Sequence, residues 1–167
     1  PRQKSANAGL PGEWLALFGS NAREAGLANA SVALGGAGSA YANPAGLAEG
    51  KLGEANFMMA PLFSGGQYNA VSLSHPLAPK RYLGITLLSL SSGEAEQTDA
   101  LGQTRGSFKS QNVAFLLSFG ERLTSNFNFG FSVKAIKQSI ADYSASSFGL
   151  DLGFQMPAQE GFGFGFD

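Results

Sequence analysis

Few residues in this chain could carry chemistry. His75 is the single histidine, it lies just before Pro76, and there is no cysteine. A thiolate nucleophile and a disulfide framework are therefore excluded, and a zinc site would lack ligands. A Ser-His-Asp set would need His75, yet no serine sits in a G-x-S-x-G elbow. Glu94, Glu96 and Asp99 share one polar stretch without the spacing of a calcium loop, so they read as a solvated outer loop. Gly35-Gly36-Ala37-Gly38 resembles a phosphate loop only in its glycines: no Lys-Ser/Thr ending follows, and no βαβ pattern surrounds it. These absences predict no catalytic residue, no metal ligand and no cofactor.

Composition points elsewhere. Charged residues make up 14% of the 167 residues, against about 25% in ordinary soluble domains. Gly, Ser, Asn and Ala stand where charge would be, so part of the surface is expected not to face water. The net charge of −1 gives no basic field for nucleic acid. No stretch is long and apolar enough for a membrane-spanning helix. Residues 1–12 read as a flexible entry, and Pro1-Arg2-Gln3-Lys4 could follow a removed signal peptide.

The pattern changes near residue 50. Residues 13–18 suit a helical turn or two, and the chain from Asn21 to Gly50 is rich in small residues suited to close backbone packing. Beyond it the period is two. Val113, Phe115, Leu117 and Phe119 alternate with smaller or polar neighbours. So do Phe127, Phe129, Phe131 and Val133, then Phe148, Leu150, Leu152, Phe154 and Met156, then Phe162, Phe164 and Phe166. Weaker strands are expected over 53–61, 67–75 and 82–91. Period two means strands with one apolar and one small or polar face. Connections are expected to be short at 76–81, 120–125 and 157–160, long at 92–106 and medium at 138–146.

A soluble β-sandwich would bury the apolar face and charge the other. Here the second face is small and polar, which suits a crowded barrel interior, with the apolar set facing lipid. Asn128, Ser132, Lys134, Asp151 and Gln155 are then lumen-facing, and Lys134 and Asp151 could pair there. Lys137 shares the apolar parity and must snorkel near a strand end. Tyr82 and Tyr143 fit an interfacial aromatic girdle. The pattern yields about seven strands, fewer than the even number of at least eight usual in such barrels. The expectation is the first part of a longer barrel.

The stretch AREAGLANASVALGGAGSAYANPAGLA, residues 22–48, resembles the amino-terminal segment of FadL-like outer-membrane proteins. SHPLAP (74–79), LGITLLSLSSGEAEQTDALGQ (83–103), SFKSQNVAFLLSFGERLT (107–124) and VKAIKQSIADYSASSFGLDLGF (133–154) are most similar to the PorV/PorQ group. The resemblance implies an all-β fold: an antiparallel transmembrane β-barrel of fourteen strands whose amino-terminal segment is a lumen hatch. Residues 1–50 would be entry and hatch, and 51–167 the first seven strands. Asn43, Pro44, Ala45 and Gly46 would form the hatch motif, where the chain leaves the hatch for strand one. Pro44 fixes its own φ and biases Asn43 away from helix. The implied role is a non-enzymatic component of type IX protein secretion in the outer membrane of a Gram-negative-type bacterium. Its partners would be outer-membrane lipid and other outer-membrane or secretion-complex proteins. A transport channel for hydrophobic or small solutes and a soluble β-sandwich binding module are the alternatives.

Overall fold

The computed structural model describes residues 12–99, 101–141, 143–159 and 162–166; the entry expected over 1–12 lies almost wholly outside them. Residues 12–50 form a cover segment of short turns. A 3-10 turn at Glu13–Leu17 is followed by α1 (Ala22–Gly26), α2 (Ser39–Ala42) and a 3-10 turn at Pro44–Glu49. Asn21 caps α1 by accepting from the Glu24 N–H at 3.0 Å, which satisfies one of the donors that a helix start leaves open.

Among the described residues nine strands follow: β1 (Glu54–Pro61), β2 (Gln67–Ala78), β3 (Arg81–Ser91), β4 (Ala95–Thr98), β5 (Thr104–Phe108), β6 (Ser110–Thr124), β7 (Phe127–Ile140), β8 (Tyr143–Gln159) and β9 (Phe162–Phe166). Seven form one antiparallel sheet in the order β1-β2-β3-β6-β7-β8-β9, and β4 and β5 pair as a separate two-stranded ribbon. Strands at the two ends, β1 and β9, each have one neighbour, so the described sheet is open. The fold is mostly antiparallel β.

All five expected connections differ: β6 runs through most of 120–125 to Thr124, and β8 through most of 157–160 to Gln159. The stretch 92–106 is not a plain loop, because β4 and β5 form within it. Asp99 organises their turn: its carboxylate accepts from the N–H groups of Leu101 and Gln103 and from Arg105 Nε. These bonds, the one from Gln103 foremost, hold its acid below the ordinary carboxylate range. Residues 138–146 are not a medium loop either, since pairing continues to Ile140 against Tyr143. Likewise β2 runs on to Ala78, with an irregularity between Pro76 and Ala78. Polar strand ends misled the sequence reading at these places: such an end looks like a loop, yet its backbone still pairs.

Register carries the two faces across the sheet. Phe57 stands opposite Val71, Val71 opposite Leu87, Leu87 opposite Phe115, Phe115 opposite Ala135, and Ala135 opposite Phe148. This apolar face is open, with Phe148 83% and Leu150 78% exposed. The opposite face is buried under the cover. There Trp14 packs with Tyr68, Ala70, Leu88, Ala114, Leu116 and Ile136 in the main cluster, and Phe18 stacks on Tyr68 at 4.6 Å. A second cluster joins Ala40, Leu47 and Ala48 to Tyr82. Tyr82 is thus beneath the cover and not in an outer girdle, because its parity places it beside Gly84 and Thr86; Tyr143 is exposed at the start of β8.

Glycines admit the cover. Gly120, Gly130 and Gly153 stand opposite one another on β6, β7 and β8. A β-carbon at Gly120 would lie 2.8 Å from Leu47 Cβ and from the Pro44 carbonyl oxygen; at Gly130 or Gly153 it would overlap Pro44, Ala45 or Asn43 outright. Gly84 on β3 would bring one to 2.9 Å from Leu47. Overpacking of this kind costs about 1–3 kcal/mol or more. Gly130→Ala should therefore lower the unfolding midpoint and expose residues 20–50 to protease. Gly26→Ala, whose β-carbon would meet nothing within 4 Å, is the control expected to leave both unchanged.

Candidate functional site

The most constrained place in the molecule is the seat of the Asn43–Gly46 turn. Asn43 is extended, with φ −158° and ψ 107°, and Pro44 opens the 3-10 turn behind it, a position suited to its fixed φ and missing N–H. The turn crosses the strands. Asn43 lies over Gly153, Pro44 and Ala45 over Gly130, Leu47 over Gly120 and Gly84. Residues 43–48 are all buried.

The Asn43 amide bonds at both ends. Oδ1 accepts from the Ala45 N–H at 3.0 Å. Nδ2 donates to the carbonyl of Val32 within the cover and to that of Phe154 on β8, each at 3.0 Å. Only an amide both accepts and donates twice in this way. Asn43 thereby ties the turn to itself, to the rest of the cover and to the sheet.

Around the seat, sheet side chains meet cover carbonyls. Ser132 Oγ donates to Ser118 Oγ at 2.7 Å, and both hydroxyls face the Ala40 carbonyl. Arg122 Nη2 reaches the Ala48 carbonyl at 2.7 Å, and Gln155 Nε2 reaches that of Ala33 at 2.8 Å. Tyr68 donates to the Gly19 carbonyl, and Tyr41 donates to that of Leu15 inside the cover. At the β1 edge, Glu54 accepts from the Ala37 N–H at 2.9 Å. Lys134 and Asp151 form an ion pair at 2.5 Å, half-buried. Asn128 and Ser132 are fully buried on the same face. All five polar residues expected on the small-residue face therefore lie on the cover side of the sheet, as does the Asn-Pro-Ala-Gly turn. Lys137 is exposed on the apolar face, near the β7 end.

Sequence reasoning missed several of these. Arg122 looked like part of a turn, and Tyr68 and Ser118 looked like ordinary strand residues. Their signal was parity: each falls on the small-residue face.

Glu24 was also missed. It is buried, and its carboxylate accepts from the Ser20 N–H at 2.6 Å. Burial raises its acid above the ordinary value of 4.5, partly offset by bonds from Ser20 and Asn21. Burial, with the charges of Glu24 and Asp151, pushes the Tyr41 phenol up to about 12, so it remains a neutral donor at pH 7.

The single histidine, His75, is exposed on β2 opposite Leu83, and among the described residues no three His, Asp or Glu side chains group as metal ligands. What the arrangement does is hold a cover on a sheet. No family model, curated protein or solved structure matches the chain.

Two outcomes check the site. Asn43→Ala strands the buried Ala45 N–H, costing about 1–3 kcal/mol, and leaves the part-buried carbonyls of Val32 and Phe154 without this partner, so it should loosen the cover far more than Asn21→Ala. Glu24 sets a pH dependence. Its raised value stabilises the fold fully below about pH 4.5, and that contribution is lost as pH rises through the folded value. Glu24→Gln removes the titration, so its unfolding midpoint should gain on the native chain as pH rises above that range and run parallel to it below. Curves parallel throughout would show that Glu24 is not held away from water.

Proposed function

We propose that this chain forms part of the wall of an outer-membrane β-barrel, with residues 12–50 as a hatch in the lumen. In this reading it does no chemistry and serves protein secretion as a type IX secretion-associated component. The barrel is completed to fourteen strands by pairing at β1 and β9. Its partners are outer-membrane lipid along the apolar face and other secretion-complex proteins.

One observation carries the membrane part: an apolar band that continues in register across the sheet while the small, polar face is covered. Monomeric soluble proteins rarely expose an apolar patch beyond a few hundred Å². A bilayer admits a sheet only when all its backbone groups pair, hence a closed barrel. A soluble sandwich would bury Phe115, Leu117, Phe131 and Leu150, which are all exposed. The secretion role rests on the likeness of residues 22–48 and the ordered segments after it to the PorV/PorQ group.

One observation favours transport instead. A cavity of about 510 Å³ lies near the β1–β2 and β3–β4 connections, lined by Leu62, Phe63 and Leu90 with Asn112. Ser64, Ser91, Ser92, Glu94 and Ser110 also line it, so the mixed wall suits a small molecule with both apolar and polar parts.

Extraction of the native protein from its membrane discriminates. Secretion predicts co-purification with a large outer-membrane partner and no solute flux in liposomes; flux without a partner would favour transport. Leu150→Arg tests the lipid face itself. At the bilayer midplane it should cost about 2–4 kcal/mol and reduce membrane assembly, whereas in a soluble protein an exposed arginine is harmless.

A further inference from the structure

Beside the glycine seat runs a second cross-strand row. Arg122 on β6 stands opposite Asn128 on β7, and Asn128 opposite Gln155 on β8. All three point to the cover. Arg122 and Gln155 each spend one donor on it, at Ala48 and Ala33. Four buried atoms of this row have no protein partner: Arg122 Nε, Asn128 Nδ2, Asn128 Oδ1 and Gln155 Oε1. Asn128 and Gln155 are 0% and 1% exposed.

The set is balanced, with two donors and two acceptors. Leaving all four unmet would strip each buried group of its hydration with no bond in its place. The groups do not bond along the row: Arg122 and Gln155 are each turned to a cover carbonyl, and the four remaining atoms meet no protein partner. The geometry points to an internal hydration site between sheet and cover, in which one water, or two linked waters, bridges Arg122, Asn128 and Gln155. The water accepts from the guanidinium and amide N–H groups and donates to the two amide oxygens. Buried waters typically make about three such bonds. The wall under the cover is then divided: in van der Waals contact along the glycines and wet beside them. This inference does not depend on the membrane reading, because the row is buried by the cover alone.

A matched pair of variants tests it in the full chain. Asn128→Ala leaves room for water to serve Arg122 and Gln155. Asn128→Leu keeps the branching and heavy-atom count of the native side chain, though its methyls are bulkier, and it cannot hydrogen-bond, so it expels the water and strands both. The site predicts a lower unfolding midpoint for Asn128→Leu than for Asn128→Ala. Dry packing predicts the reverse, because there the smaller residue leaves a cavity, and that order would overturn the proposal. A density map that resolves waters supplies the second reading. Water within hydrogen-bond distance of Asn128 and one of its two neighbours is expected; direct bonds among the three side chains would overturn it.

Discussion

A turn laid across strands at backbone contact is the constraint on which the rest of this structure depends. The Asn43–Leu47 segment can lie flat on β6, β7 and β8 only where those strands carry no β-carbon. Gly120, Gly130 and Gly153 provide that in one continuous row. The row fixes the register of three strands at once, because a slip of one residue would bring Phe119, Phe131 or Phe154 under the turn. It also fixes which face of the sheet is covered. The Asn43 amide then locks the arrangement with bonds to Ala45, Val32 and Phe154.

The inverted distribution of side chains follows from that choice. Where the turn crosses the glycine row the inner face has no room for large apolar side chains; Leu88, Leu116 and Ile136 share that face only beneath Trp14. Most of the other large apolar residues occupy the opposite parity, and register gathers them into a band that crosses the sheet. In water such a band would be an aggregation surface; against lipid it is the ordinary outer face of a barrel. The inside is held by many modest polar contacts. Hydroxyls and amides of the sheet meet carbonyls of the cover, because short turns leave carbonyls without helix partners. Glu24 and Tyr41 belong to the same logic: buried polar groups are kept close to local donors and acceptors.

Much of this was legible in the sequence, and the reason is period. Alternation over 112–119, 127–135 and 148–156 gives strand and face together, so Asn128, Ser132, Lys134, Asp151 and Gln155 could be placed on one side without coordinates. The Asn-Pro dipeptide marked the turn. What could not be read was pairing. Residues 95–98 and 104–108 are polar and exposed, and only their mutual hydrogen bonds make them strands. Tyr82 could be assigned a parity but not the depth that places it under Leu47. The three-glycine row is invisible along the chain, since its members are ten and twenty-three residues apart and become neighbours only through register. Arg122 and Glu24 become informative for the same reason, through groups the chain brings to them from far away.

The central claim is that one face of this sheet meets lipid while the other meets the cover. Spin labels placed singly along β8, at positions 148, 150 and 152 and at 147, 149 and 151, test it most directly in native membranes. Relaxation by oxygen, which concentrates in the bilayer, is compared with relaxation by a water-soluble nickel chelate. The account predicts a strict alternation, with 148, 150 and 152 open to oxygen and closed to the chelate, and 147, 149 and 151 shielded from oxygen. Chelate access at 148, 150 and 152, or oxygen access equal at both sets, would contradict it.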